Sequence, residues 1–463
     1  MLLPRIKFVL LLVLISTTAF AQKDEKQLSI NFAEHFKNAQ YHEMYLMFDT
    51  MLTHKISESV LKTSMDGLIK QVGVIDSYTF IKVEKDDKFN KTYTECHFKN
   101  STLDIELAFN SAQLIIGFHL VPPAQANSSK YTPPSYDSAK NYTEHQITVT
   151  TGEYKMPGVL TVPKNVKNPP VVIFVQGSGP NDKDESYGPN KTFRDLAIGL
   201  ANKGIATIRY DKRTFIYHSH FSKNLHDATV KDESVDDAIS AVKMVGKLGR
   251  LNNDSDISGV TGLKTFFNLG LDSNRIYVLG HSLGAMLASR IAQGSKKIKG
   301  IVMMAGDSRL LEDVMIEQYK YLASLDTAAA RHNQQNMEEM VKQVEYAKRP
   351  DLKPDAPDSL LPYNVSAPYW IDINHYNQIK TAQELTIPIL LVQGERDYQV
   401  TMTDYNLWKD KLGKKKNVTF HSYPKLNHLF LEGEGKSTPT EYDKPGHVPL
   451  YVINDIANWV NKK

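Results

Sequence analysis

The hydrophobic period changes several times along the chain. Phe32, Phe36 and Ala39 recur at helical spacing, and Val60, Leu61, Leu68 and Ile69 suggest a second helical stretch. The period then falls to two. Leu103, Ile105, Leu107 and Phe109 alternate with polar or small residues, and Tyr78 to Glu84 and Leu114 to Leu120 also read as strands. Helices followed by an antiparallel sheet predict a small α+β domain over residues 22–121. It carries no clustered catalytic residue types, so a packing or substrate-shaping role is its expected one. Residues 122–142 read as a linker, with Pro122-Pro123, Pro133-Pro134 and a Ser, Asn, Lys and Tyr filling.

Beyond the linker, over 143–463, short unbroken apolar runs dominate. His145 to Val149 and Gly158 to Val162 read as a leading hairpin. Val171 to Val175, Ile205 to Arg209, Ile276 to Leu279, Ile301 to Met304 and Pro388 to Val392 read as strands buried on both faces. Helical patterns at Phe193 to Asn202 and Val235 to Val245 alternate with them. That alternation predicts an α/β domain with a doubly wound, mostly parallel sheet. Residues 307–385 break it. They are too long for a plain loop and predict a helical cap inserted over the carboxyl edge of the sheet.

The first residues add a location. Arg5 and Lys7 precede the apolar run Phe8 to Ile15, and Ala19-Phe20-Ala21 is a small-x-small cleavage site. Residues 1–21 are therefore expected to be a secretory signal peptide, with the mature protein exported to a periplasmic or extracellular space. The run is too short to anchor the chain in a bilayer. The net charge of +3 and the absence of a dense basic stripe argue against a nucleic-acid partner. Cys96 is the only cysteine among 463 residues, so no internal disulfide can form. Its alternating surroundings predict a buried, inert thiol.

The chemistry centres on Gly280-His281-Ser282-Leu283-Gly284. A G-x-S-x-G string alone arises by chance in roughly one chain in six of this length. Here a strand, Arg275 to Leu279, precedes it and a helix-forming stretch, Ala285 to Ala292, follows. Strand, sharp turn and helix are what a nucleophile elbow requires, so Ser282 is the predicted nucleophile. A serine hydroxyl needs a base, and in this arrangement the partners follow in the order acid, then histidine. Gly394-Glu395-Arg396-Asp397 lies just past a late strand, and Asp397 is the expected acid, with Glu395 the runner-up. His428, in the loop after Val418 to Tyr423, is the expected base. His421 sits within that strand, and His447, leading into the last helix, is the second choice.

Acyl transfer also needs donors for an oxyanion. The N–H of Leu283 is one expectation. The loop Gln176-Gly177-Ser178-Gly179-Pro180 after the strand Val171 to Val175 is expected to supply the other, from Ser178 or alternatively Gly177. Tyr363, Tyr369, Trp370 and Tyr376 in the cap are candidates for an apolar substrate pocket or, equally, for the cap's own core.

These strings carry a resemblance. Residues 177–182, 280–284, 394–401 and 426–430 resemble bacterial α/β-hydrolase carboxylesterases related to dienelactone hydrolases and the prolyl-oligopeptidase catalytic domain. The likeness extends to those in which a small α+β domain comes first. That first domain is similar to nuclear-transport-factor and cystatin-like domains in size and pattern alone. The resemblance implies the α/β-hydrolase fold and a serine esterase using Ser282, Asp397 and His428. Gln176 stands where relatives often have His. The implied partner is a small-molecule ester, and no cofactor is required. A serine peptidase, an acyltransferase and an inactive binding protein are the rival readings. No metal site is expected. Asp254 to Gly259 starts like a calcium loop but puts Thr265 where a Glu is needed. His218-Ser219-His220 lacks supporting carboxylates. No dinucleotide fingerprint follows any predicted strand.

Overall fold

A computed structural model describes residues 24–53, 56–85, 89–121, 131–217, 227–248, 270–325 and 334–462. The leader 1–21, the calcium-like stretch 254–259 and His218 to His220 lie outside the described residues. The chain divides into two compact units, 1–128 and 129–463. Among the described residues no helix is long and apolar enough to cross a membrane.

Among the described residues of the first unit, four helices precede four strands. They are α1 (Glu25–Lys37), α2 (Tyr41–Leu46), α3 (Thr50–Thr53) and α4 (Glu58–Val72), then β1 (Ile75–Lys85), β2 (Asn90–Phe98), β3 (Ser101–Phe109) and β4 (Ile115–Val121). The strands form an antiparallel meander in chain order. Asp24 caps α1 by accepting from Lys26 N–H, and Ser57 caps α4 by accepting from Val60 N–H, which satisfies donors the helices leave open. Helix α1 buries Leu28, Phe32 and Phe36 against Phe98, Ile105 and Leu107 of the sheet. Ala39, with a φ of +53°, lies past the end of that helix and is not part of its apolar face. Cys96 is free and fully buried, and burial pushes its thiol up to about 12.

The second unit opens with a hairpin, β5 (Tyr142–Thr151) and β6 (Tyr154–Pro163). β7 (Val171–Val175) follows, then a short ribbon, β8 (Ser186–Tyr187) with β9 (Asn190–Lys191), and α5 (Thr192–Ala201). Next come β10 (Ala206–Tyr210), α6 (Arg213–Ile216), a π-helical turn (Lys231–Val235) and α7 (Asp236–Leu248). The sheet continues with β11 (Ile276–His281), α8 (Leu283–Gln293) and β12 (Ile298–Met304). Then come the helices α9 (Leu311–Leu325), α10 (Gln334–Ala347), α11 (Ala367–His375) and α12 (Gln378–Glu384). The chain ends with β13 (Ile389–Gly394), α13 (Met402–Leu412), β14 (Val418–Tyr423) and α14 (Leu450–Lys462).

The sheet has eight strands in the order β14-β13-β12-β11-β7-β10-β6-β5. From β14 to β10 every pairing is parallel, and the β6–β5 hairpin is antiparallel. Every residue of β7, β10, β11 and β13 is buried. That explains the unbroken apolar runs, because side chains alternate between two cores. Val171, Ile173 and Val175 enter one core with residues of α7, α8, α11 and α12. Val172 and Phe174 enter the other with α5 and α14. The chain leaves β7 toward β10 on one side and reaches β11 on the other. The carboxyl ends of β7 and β11 therefore form a topological switch point, where open α/β sheets keep their crevice.

Two expectations are corrected. The part of the linker from 131 to 142 is docked on the second unit: Tyr131 Oη donates to Asp195 at 2.8 Å and Tyr136 Oη to Val448 O at 2.7 Å. The insertion 307–385 is not all cap. Ala382 of α12 and Trp370 of α11 belong to the core under the sheet, so the end of the insertion is an ordinary covering layer.

Candidate functional site

The sharpest local feature of the second unit is the turn from β11 into α8. Ser282 has φ 54° and ψ −121°, a left-handed backbone for a residue with a Cβ, and its N–H donates to Met304 O at 2.9 Å. Such strain persists only where surroundings enforce it. They do: a Cβ on Gly280 would strike Gly284 O, and one on Gly284 would strike Val175 O. Only glycines at both positions let β11, β7 and α8 approach this closely. The turn leaves Ser282 partly exposed at the rim.

Asp397 follows β13 and His428 follows β14, and the two are brought together. His428 Nδ1 lies 2.7 Å from Asp397 Oδ2. The carboxylate has a full set of donors, with Oδ1 accepting from Gln399 N–H at 2.7 Å and Val400 N–H at 3.0 Å. Oδ2 also accepts from Gln393 Nε2 at 3.2 Å. An oxygen so placed can only accept, so the His428 proton sits on Nδ1 and Nε2 keeps its lone pair. Both residues are buried. Burial, together with the fields of Asp404 and Asp397, pushes the carboxyl of Asp307 well above the usual range.

His281 ties the elbow to the histidine loop. Its Nε2 lies 2.8 Å from His428 O, and the two rings are 4.7 Å apart. Its Nδ1 lies 3.0 Å from Glu185 Oε2. Burial opposes a charge on this ring, but the Glu185 carboxylate outweighs it and raises the imidazole above its ordinary value. Glu185 reaches the other side of the crevice too, where its Oε1 accepts from Gly177 N–H at 2.8 Å.

That bond corrects one expectation. Gly177 sits beside Ser282, as a Cβ built on it would lie 3.1 Å from Ser282 Cβ. Its N–H is already committed to Glu185 and is not available to a substrate. Ser178 N–H and Leu283 N–H have no acceptor among the described residues. Gln176 turns its side-chain amide to Tyr210 O, away from the crevice.

The runners-up lie elsewhere. Glu395 Oε1 accepts from Ser422 Oγ at 2.7 Å on an exposed face. His447 Nδ1 lies 3.1 Å from Asp195 Oδ2, which anchors the start of α14 to α5. His421 lies 3.6 Å from Asp455. Among the four aromatics weighed equally between a pocket and the cap's own core, Trp370 and Tyr376 are buried in the core under the sheet, and Tyr376 Oη donates to Met286 O at 3.0 Å. Tyr363 lies exposed on a turn. Tyr369 Oη donates to Glu233 Oε2 at 2.8 Å. Trp370 and Tyr376 are therefore core residues.

Sequence reasoning missed a different aromatic group. Tyr398 and Tyr442 pack with Leu429 and Leu431, with Tyr321 against them. Tyr398 and Leu429 directly follow Asp397 and His428, and that adjacency was the available signal. Among the described residues no cluster of His, Cys, Asp and Glu could hold a metal ion.

Residues 260–435 match a family described as "Serine aminopeptidase, S33", and residues 29–118 match a protein family of unknown function, DUF3887. The chain is similar to esterase EstD of Thermotoga maritima, 41% identical over 338 residues, which is 73% of this chain and 72% of that one. Among solved structures it is similar to Est1E from Butyrivibrio proteoclasticus, with 14% identity, a TM-score of 0.41, and 69% of this chain and 99% of that one covered. It is also similar to dienelactone hydrolase from Anabaena variabilis, with 16% identity, a TM-score of 0.38, and 70% and 98% covered.

Proposed function

The chain belongs to the bacterial α/β-hydrolase carboxylesterase family that includes esterase EstD, and we propose that it cleaves small carboxylic esters through an acyl-enzyme on Ser282. In this reading His428 Nε2 takes the Ser282 proton as Oγ attacks the ester carbonyl. The oxyanion accepts from the N–H groups of Leu283 and Ser178. Collapse breaks the ester C–O bond, and the departing alcohol takes the proton from His428. Water, activated by the same imidazole, then releases the acid and restores Ser282. Asp397 holds the tautomer and stabilises the imidazolium.

The observation that carries the reading is the 2.7 Å bond from His428 Nδ1 to a carboxylate already held by two backbone N–H groups. A surface histidine has no need of such a partner, whereas a base needs it. Purified protein assayed on aryl esters tests the proposal. Ser282→Ala and His428→Gln should each lower kcat by at least about a thousandfold while the fold is kept. Turnover within tenfold of the unsubstituted chain would overturn it.

The serine aminopeptidase description of residues 260–435 favours a second reading, a peptidase on the same machinery. Release of amine from aminoacyl anilides at rates matching ester cleavage would select it. A product carrying the acyl group on an added alcohol would select a transferase. We also propose export after cleavage behind Ala21. Amino-terminal sequencing of the mature protein should begin at Gln22, and an intact Met1 would refute this.

A further inference from the structure

Beside the switch point lies a buried cation that the proposed chemistry does not use. Lys212 follows β10 and is 2% exposed. Its Nζ lies 2.7 Å from Gly177 O and 2.7 Å from Glu233 Oε1. Glu233, on the π-helical turn, in turn accepts from Tyr369 Oη at 2.8 Å. A buried ammonium is costly unless paired, and this one has both a carboxylate and a carbonyl. A carboxylate alone would neutralise it, so the aim at Gly177 O calls for a separate explanation.

Gly177 O and Ser178 N–H belong to one peptide group. In a planar trans peptide the two point in opposite directions. A cation fixed on the oxygen therefore fixes where the N–H points, away from the interior that holds Lys212 and toward the exposed side of Ser178. A positive charge on the oxygen also draws electron density across the amide and makes its N–H a stronger donor. The rest of the loop is clamped the same way. Asn181 Nδ2 donates to Gly177 O, Ser178 O and Gly179 O at 3.1, 2.9 and 3.2 Å, and Glu185 takes Gly177 N–H.

We propose that Lys212 is a positioning residue for ester cleavage, orienting and polarising the Gly177–Ser178 peptide so that Ser178 N–H is held ready for the oxyanion, with Glu233 and Tyr369 holding the ammonium in place. The inference rests on the acyl-enzyme reading of Ser282. It assigns to Tyr369 a supporting role at the site, in place of a lining one.

The test compares Lys212→Met with the double variant Lys212→Met plus Glu233→Gln. The single variant strands a buried carboxylate and is expected to lose stability. The double variant removes both charges at nearly constant volume and should regain the melting temperature. If Lys212 acts on the peptide, kcat of the double variant stays down by about tenfold to a hundredfold with KM near its original value. That is less than the loss from deleting an oxyanion donor outright. Affinity for an aryl trifluoromethyl ketone, which adds to the serine and leaves an oxyanion, should fall by the same factor as kcat/KM. Recovery of kcat together with stability, a loss confined to KM, or unchanged ketone affinity would each overturn the proposal. The unsubstituted protein and Ser282→Ala are run alongside. Failure of the ketone to inhibit the former, or turnover by the latter, would sink the acyl-enzyme reading as well.

Discussion

Replacing Asp397 by Asn changes one atom, and the structure says which partner suffers. Oδ1 faces two backbone donors, Gln399 N–H and Val400 N–H, that cannot rotate. The amide NH2 placed there would meet both head-on, so the amide oxygen must take that side. The NH2 then occupies the Oδ2 position, facing Gln393 Nε2 and His428 Nδ1. A donor opposite Nδ1 forces the ring into the other tautomer, with its proton on Nε2, and that nitrogen can no longer take a proton from Ser282. In triads of this kind the same swap lowers kcat about ten-thousandfold. That converts to about 5.4 kcal/mol of transition-state stabilisation. The assay is steady-state hydrolysis of an aryl acetate, with thermal melting alongside to show that the chain is folded. Glu395→Gln is the control, since Glu395 meets only Ser422 Oγ, and its rate should match the unsubstituted protein. A rate for Asp397→Asn within tenfold of normal, or a larger loss in the Glu395→Gln control, would refute the tautomer argument.

Gly284→Ala would put a Cβ 2.7 Å from Gln176 O and closer still to Val175 O, both rigid backbone atoms. The elbow must move, so thermal melting should show a loss of about 3 kcal/mol or more and ester turnover should collapse. The His281–Glu185 pair predicts a pH dependence of stability. The folded value of His281 is raised, so its contribution is fully present below the unfolded value of about 6.5 and is lost as pH rises through the higher folded value. Chemical denaturation of the unsubstituted chain against His281→Gln should give a gap of about 3 kcal/mol at low pH that narrows as pH rises; the other acids near the ring are Asp397 and Asp307, whose carboxyl burial raises. Trp370→Ala removes a buried core side chain, so it should cost about 3–5 kcal/mol in denaturation. The ranking of acyl chain lengths by kcat/KM should stay unchanged.

What the chain discloses from sequence is what is local. An unbroken run such as Val171 to Val175 is buried on both faces, and the run itself carries that information. The strand-turn-helix setting of Ser282, and the placement of Asp397 and His428 just past successive strands, are likewise short-range patterns. Bonds between distant polar groups leave no such trace. Nothing in the string Asp211-Lys212-Arg213 says that its lysine is buried against Gly177 O, and nothing near Glu185 announces a partner in Gly177 N–H. Gly177 therefore stood as the alternative donor to Ser178 when its N–H was already taken. The aromatics of residues 363–376 stayed open between pocket and core for a related reason. Trp370 and Tyr376 are apolar enough for a pocket or a core, and only the packing of α11 and α12 under the sheet separates the two. The Pro-rich stretch before β5 looked like free linker because the anchoring bonds of Tyr131 and Tyr136 reach residues 64 and 312 positions away.

Everything proposed for this site turns on a covalent bond to one hydroxyl. Rapid mixing of the protein with a nitrophenyl ester, followed by acid quench and mass analysis of its peptides, observes that bond. An acyl-enzyme predicts a burst of about one nitrophenol per chain and an acyl mass on the peptide containing Ser282, both absent from Ser282→Ala. A linear time course with no adduct, or an acyl group found on a different residue, would contradict it.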